Sequence, residues 1–400
     1  MLRYPCLRLL LLVLPLPWLL PLLPRHQCQG ERRVWEVAAP PRRPKTVLAW
    51  TPWWGREGGG ASTWGLGTGG APFAHCPVSA CRLSTDRAEQ PVELHDAVLF
   101  HTWQLFQHDM RLPGRRSAFQ RYVLFSIEPA AGCGGLSGWE YGALAGYFNS
   151  TASYRRDADV PVPYGRLERR RPGGSGEAEG LLGGKSRSVL FVTSHCVTDS
   201  DREGAARRLN RTVAVDFRGA CAAVWEGRRG GRGERGRHGT SFHAHLYYFY
   251  LAFENSLCHD YVTEKFWDAL AAGVVPVVLG GADYAAIAPP RSYIDLRDFA
   301  TEEEAGRYLL HLMDHPAEYL EYLAWREEWR VVGRAEAAAA DTIPPSFLCA
   351  LCEHLHKEEE PYSYRSDTSN TSYSLSNVCI LHSELPKNGI LKNSCCNIPF

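Results

Sequence analysis

Three side chains close together in the sequence could meet a phosphorylated ligand. Tyr261, Glu264 and Lys265 stand at i, i+3 and i+4, the spacing that shares one face of the first turns of a helix. A lysine meets phosphate as a compact point charge. A glutamate does not favour phosphate, so Glu264 is assigned to sugar hydroxyls. The opposite face carries Phe266, Ala269 and Leu270, which would pack on a sheet. A second carboxylate, Glu128, follows the strand candidate Arg121 to Ile127. Catalytic groups gather at the carboxyl ends of strands in open α/β sheets. Trp53 and Trp54 could stack on sugar rings, since aromatic faces suit their apolar C–H surfaces.

The elements that must position these groups are legible around them. Tyr247 to Phe253 is an apolar run of strand length. Residues 254–259 make a turn, Asp260 is the expected helix cap, and Gly273 the expected helix end. Val274 to Leu279 has no polar alternation and suits a parallel strand buried on both faces. A strand–turn–helix–strand unit places helix N–H groups where a phosphate binds. These features alone imply an α/β enzyme that takes a phosphorylated ligand.

The rest of the chain narrows the class. Forty-four basic residues balance forty-four acidic ones, so no global field points to nucleic acid. Thirteen cysteines without a paired CxxC pattern favour disulfides of the secretory pathway. Leu9 to Leu23 is apolar but broken by Pro15, Pro17 and Pro21, and shorter than the ~20 residues of a spanning helix. A signal peptide competes with an anchor there, although no small-residue cleavage site follows. Residues 25–45 read as a stem. Gly58 to Gly70 lacks the Gly-Lys-Ser/Thr ending of a P-loop. Asp157 and Asp159, and Asp199 and Asp201, form D-x-D strings that could hold a metal, a weak signal for so common a tripeptide, and are assigned to structure, loop or cap. Glu226 to Gly239 is Arg- and Gly-rich and reads as a flexible insertion. Tyr293 to Phe299 and the run from Glu304 to Trp329 read as helical. Sequons stand at Asn149, Asn210 and Asn370.

The strings FYLAFENS, DYVTEKFW and AGVVPVVLG together resemble the donor-binding motif of the α1,3-fucosyltransferases, glycosyltransferase family 10. The likeness extends over roughly Ala49 to Cys352 and includes FNSTASYRRDADVPVPYG and HCPVSACRLSTDR. It implies an α/β fold of GT-B type, two Rossmann-like domains facing a cleft. The expected divisions are a signal-anchor at 1–24, the stem, an acceptor-binding domain at 46–165, a linker at 166–188, a donor-binding domain at 189–356 and a tail at 357–400. The reaction implied is inverting α1,3 transfer of fucose from GDP-fucose to an N-acetylglucosamine-containing glycan; the alternative is a catalytically inactive glycan- or nucleotide-sugar-binding protein of the same fold. Glu128 would be the general base, although this chain reads Glu-Pro-Ala where the family reads Glu-Ser-Pro. Arg202, eight residues after Ser194, matches the arginine on the donor diphosphate, a task suited to a planar guanidinium fork. Val192 and Ser194 would hold the nucleotide. Tyr250 and Asn255 would position the donor, with Tyr261 and Lys265 on the diphosphate and Glu264 on the ribose. Trp53 and Trp54 would lie in the acceptor loop. Cys349 and Cys352 would pair with Cys76 and Cys81, in an order left open; a zinc site is the weaker alternative. No metal is obligatory in this scheme, and stimulation by manganese is left open. The expected setting is the Golgi membrane, single-pass with a lumenal catalytic part, where no nucleic acid is a partner.

Overall fold

A computed structural model describes residues 43–52, 67–102, 105, 112–129, 146–170, 177–222, 243–333 and 345–357. The expected anchor, the stem up to residue 42, the tail from 358, the Arg- and Gly-rich insertion, Trp53, Trp54 and Asn370 lie outside the described residues, while Lys45 of the expected stem already begins the first strand. No described helix is long and apolar enough to cross a membrane.

Two parallel sheets form the frame. The first takes β1 (Lys45–Ala49), β2 (Cys81–Ser84), β3 (Ala97–His101), β4 (Arg121–Ser126), β5 (Ser150–Ser153) and β6 (Val160–Pro161) in the order β2-β1-β3-β4-β5-β6. A short antiparallel ribbon joins β7 (Gly165–Arg169) to β13 (Trp329–Gly333). The second sheet takes β8 (Arg187–Val192), β9 (Val215–Arg218), β10 (Tyr247–Phe253), β11 (Val275–Leu279) and β12 (Ile294–Asp295) in the order β12-β11-β10-β8-β9. Each order reverses once, between β1 and β3 and between β8 and β10. Crevices at such reversals bind ligands beyond the strand ends. The fold is thus α/β with two Rossmann-like parallel sheets.

The second sheet is buried on both faces, as its continuous apolar strands require. Along β10, Tyr250 and Ala252 join a core with Phe266, Trp267, Ala269 and Leu270 of α3 (Glu264–Ala271). The alternate residues Phe249, Leu251 and Phe253 pack with α2 (Arg202–Leu209) and α4 (Glu302–Asp314). Gly273 ends α3 as expected, with φ at +69°, a backbone state that costs glycine little.

The structure differs from the sequence reading at three places in the chain's framework. The stretch 166–188 is not a bare linker: it holds β7, α1 (Glu177–Gly183) and Lys185. The Lys185 ammonium is buried against the Tyr247 and Gly273 carbonyls, both at 2.8 Å, and burial lowers its pKa to about 8. The helical run 304–329 breaks after α4 and α5 (Pro316–Glu321), and Trp329 starts a strand. Tyr293 to Phe299 holds β12 and a single 3-10 turn. The final helix, α6 (Pro345–Lys357), packs on the first sheet, with Phe347 against Phe125 at 4.8 Å between ring centroids.

Two disulfides fasten that return. Cys76 joins Cys349, and Cys81 joins Cys352, which fixes the order left open above. The four sulfurs are therefore not thiolate ligands for zinc. A third bridge, Cys196–Cys221, was not anticipated and ties the loop after β8 to the end of β9. The bridges to α6 close loops of 273 and 271 residues. Replacing Cys81 and Cys352 together by Ser is expected to cost about 2–5 kcal/mol of stability, seen as a lower urea unfolding midpoint. An unchanged midpoint would mean that apolar packing and the remaining Cys76–Cys349 bridge suffice to hold α6.

Candidate active site

The site forms where the strand ends of the two sheets meet. Glu254 follows β10 directly and is fully buried. Its carboxylate accepts the Thr263 N–H at 2.8 Å and the Thr263 hydroxyl at 2.9 Å. Helix α3 therefore begins at Glu264 with Thr263 as N-cap, and the cap is supplied from the preceding strand end rather than by Asp260. Asp260 sits at φ +59° and accepts the Arg156 backbone N–H at 3.1 Å and its Nε at 3.0 Å. That pair fastens the loop after β5 to the turn before α3.

The later helix start changes the role of Tyr261. It lies ahead of the helix and does not share a helical face with Glu264 and Lys265. Its hydroxyl instead donates to Glu128 Oε2 at 2.8 Å, from one sheet's end to the other's. Tyr154 packs on the Tyr261 ring at 4.9 Å, and the Tyr164 hydroxyl binds the Ile127 carbonyl at 2.7 Å. Ser126 Oγ donates to the Glu128 carbonyl at 2.7 Å, so the Glu-Pro-Ala loop is held at its first residue. Burial pushes the Glu128 carboxyl above the ordinary glutamate range, against the Tyr261 hydrogen bond and the Lys265 charge.

Lys265 is mostly buried. Its ammonium donates to Thr263 Oγ1 at 2.7 Å and lies 3.3 Å from Glu254 and 3.4 Å from Glu264. Burial works against this charge, but the two carboxylates outweigh it and hold the lysine pKa above its usual value. Arg202 opens α2; Asp201 of the second D-x-D string stands at the N-cap position, but its side chain makes no capping hydrogen bond. The Arg202 guanidinium is buried and donates to the Phe253 carbonyl at 3.1 Å and to Thr193 Oγ1 at 2.8 Å. Its Nε has no hydrogen-bond partner among the described residues, and neither does the buried Oδ1 of Asn255. A buried polar atom without a partner is costly, so such atoms mark where a ligand could supply one.

The remaining candidates divide clearly. Val192 ends β8 and Ser194 is exposed just beyond it, both at the crevice of the second sheet. Tyr250 is a core residue of β10 whose burial raises its hydroxyl pKa. Asp157 is paired with Arg155, and Asp159 accepts from the Thr151 N–H and hydroxyl, so the first D-x-D serves structure. Asp201 of the second pairs with Arg208. The Asn149 amide bonds the Tyr122 N–H and the Gln120 carbonyl, and a glycan there would have to contend with both. Asn210 is exposed. Glu254 was read only as part of a turn. Its signal, an acidic residue at a strand end nine residues before the helix cap, has meaning only once the strand and helix face each other.

Residues 42–165 match the profile for the fucosyltransferase N-terminal region, and residues 182–371 match that for glycosyltransferase family 10 (fucosyltransferase) C-term. The chain belongs to glycosyltransferase family 10. Among similar proteins of this family 10 fucosyltransferase is alpha-(1,3)-fucosyltransferase C of Drosophila melanogaster, 36% identical over 332 residues that cover 78% of this chain and 73% of the relative. The Bos taurus 3-galactosyl-N-acetylglucosaminide 4-alpha-L-fucosyltransferase FUT3 is 39% identical over 308 residues, 73% of this chain and 74% of the relative. A crystal structure of an alpha1,3-fucosyltransferase with GDP-fucose aligns at TM-score 0.47 and 17% identity, over 82% of this chain and 94% of that one.

The contact between Glu128 and Tyr261 makes a titration prediction. A hydrogen bond donated to a carboxylate favours its ionised form. The Glu128 carboxyl is expected to titrate above the ordinary glutamate range in difference infrared spectra against Glu128→Gln. Tyr261→Phe should move it higher still. An ordinary glutamate titration unaffected by Tyr261→Phe would contradict the geometry.

Proposed function

We propose that this family 10 enzyme is an inverting α1,3-fucosyltransferase of GT-B type, moving fucose from GDP-fucose to an N-acetylglucosamine-containing glycan. The observation that carries the reading is the Glu128–Tyr261 contact, which sets a carboxylate of the first sheet against the cationic crevice of the second. The first sheet with its strand-end loops takes the acceptor, with Trp53 and Trp54 as its aromatic surface. The crevice of the second takes the donor, with Val192, Ser194 and Asn255 around the nucleotide sugar, while Tyr250 supports it from the core beneath.

In the reaction the acceptor hydroxyl oxygen attacks the fucose anomeric carbon from the side opposite GDP. Its proton passes to Glu128, which must be ionised to receive it. The bond from the anomeric carbon to the phosphate oxygen breaks, and GDP leaves with the electron pair. The growing negative charge meets Arg202 and Lys265, cations already in place before the reaction. Glu264, which is partly exposed, binds the ribose hydroxyls. The proton acceptor and the cations that meet the leaving group's charge are side chains of this chain, and stimulation by manganese would add to them. Three disulfides fit an oxidising compartment, in accord with a lumenal catalytic part anchored in the Golgi membrane through residues 1–24.

The test is acceptor-dependent GDP release from GDP-fucose by the full chain, with N-acetyllactosamine and N-glycan acceptors. Glu128→Gln is expected to lower kcat by roughly 100-fold or more, with little change in GDP binding. Because a protonated base is inactive and the Glu128 pKa is raised, the rate should fall on the acid side at a pH above the ordinary glutamate range. Full turnover by Glu128→Gln would overturn the base assignment, and acceptor-independent behaviour would overturn the transferase reading.

A further inference from the structure

Glu254 is the best-bonded ionisable group in the crevice, yet it has no part in the chemistry just described. It is 0% exposed and cannot reach a substrate. Its backbone is fixed on both sides: the N–H donates to the Leu279 carbonyl at 2.9 Å, and the carbonyl accepts the Ser200 hydroxyl at 2.6 Å. Packing confines the side chain too. A Cβ added to Gly280 would lie 2.4 Å from the Tyr284 hydroxyl oxygen and 3.6 Å from Glu254 Cγ.

The bonds it makes all lead to the donor side. Its carboxylate holds both the N–H and the hydroxyl of Thr263, itself 1% exposed. The Thr263 oxygen in turn accepts from Lys265. An ammonium has three N–H groups, and Lys265 has three acceptors: Thr263, Glu254 and Glu264. Two of them are locked in the interior. Glu264 is the third, with 27% of its side chain exposed.

We infer that Glu254 is a positioning residue: directly and through Thr263 it aims the Lys265 ammonium at the donor diphosphate. The inference rests on the donor crevice proposed above and deepens it. Glu254 acts on the leaving group through Lys265 and touches neither substrate. Its loss should therefore have no separate cost once Lys265 is gone.

The experiment compares the full chain with Glu254→Gln, Lys265→Ala and the double variant, reading kcat/KM for GDP-fucose. Glu254→Gln is expected to lose roughly tenfold, the usual scale for a buried partner that orients a functional group. Adding it to Lys265→Ala should cost no more than roughly twofold further, since coupled residues are non-additive. A double variant that pays both single losses in full would overturn the inference and make Glu254 a merely structural residue. Should Glu254→Gln fail to fold, Thr263→Val carries the same test: it should lose activity, and Thr263→Ser, which keeps the hydroxyl, should recover most of it. Equal losses in Val and Ser would overturn it. Dissociation constants for GDP in the same series separate this claim from the fucosyl reading. If the parent binds GDP but does not turn over GDP-fucose, the fucosyl reading fails, and the non-additivity of GDP affinity still decides the role of Glu254. Absence of GDP binding in the parent would overturn both.

Discussion

The site depends on one hydrogen bond between groups 133 residues apart, from the Tyr261 hydroxyl to the Glu128 carboxylate. Neither residue can be brought to that point by its own sheet alone. Glu128 needs β4 to end at the crevice, and Tyr261 needs the turn between β10 and α3 to stand before it. The rest of the structure reads as the means of keeping those two ends in register. Arg156 and Asp260 cross the same boundary beside them. Tyr154 and Tyr164 pack on the Tyr261 ring from the first sheet's side. The last helix returns to the first sheet and is bonded there by two disulfides.

The crevice gathers Glu128, Glu254 and Glu264 around Lys265 and Arg202, an arrangement that would be unstable if any charge stood alone. Burying a charge is tolerated only when it is paired and hydrogen-bonded. Glu254 meets this condition fully, through Thr263 and Lys265. Glu128 meets it through the neutral hydroxyls of Tyr261 and, at 3.4 Å, Tyr164, which leaves its carboxyl able to gain a proton. Arg202 Nε and the neutral Asn255 Oδ1 are buried without a hydrogen-bond partner among the described residues. Fixed interactions and incomplete ones thus stand together in the crevice, which is what a site needs in order to be rigid before binding and completed by it.

Much of this was legible in the sequence because it is local. The bounds of β10, the end of α3 at Gly273 and the buried β11 follow from apolar runs and one glycine. Glu128, Arg202, Glu264 and Lys265 were placed by likeness to a family, and the structure brings them to one crevice. What escaped the reading is long-range. Asp260 resembles a helix cap, but the N-cap is Thr263, held by Glu254, and only the fold brings that carboxylate to it. The stretch 166–188 has a linker's composition, yet Gly165–Arg169 becomes a strand because Trp329–Gly333 lies alongside it. At Gly165 a side chain would strike the Trp267 ring at 2.5 Å, a reason for glycine that no local pattern reveals. The Cys196–Cys221 bridge likewise depends on β8 and β9 being neighbours.

The most direct measurement is a crystal structure of the full chain with GDP-fucose bound. The account predicts the diphosphate between Arg202 and Lys265, with Arg202 Nε and Asn255 Oδ1 newly hydrogen-bonded and the fucose anomeric carbon facing Glu128. A donor bound away from the β8–β10 crevice, or with its sugar turned from Glu128, would contradict it.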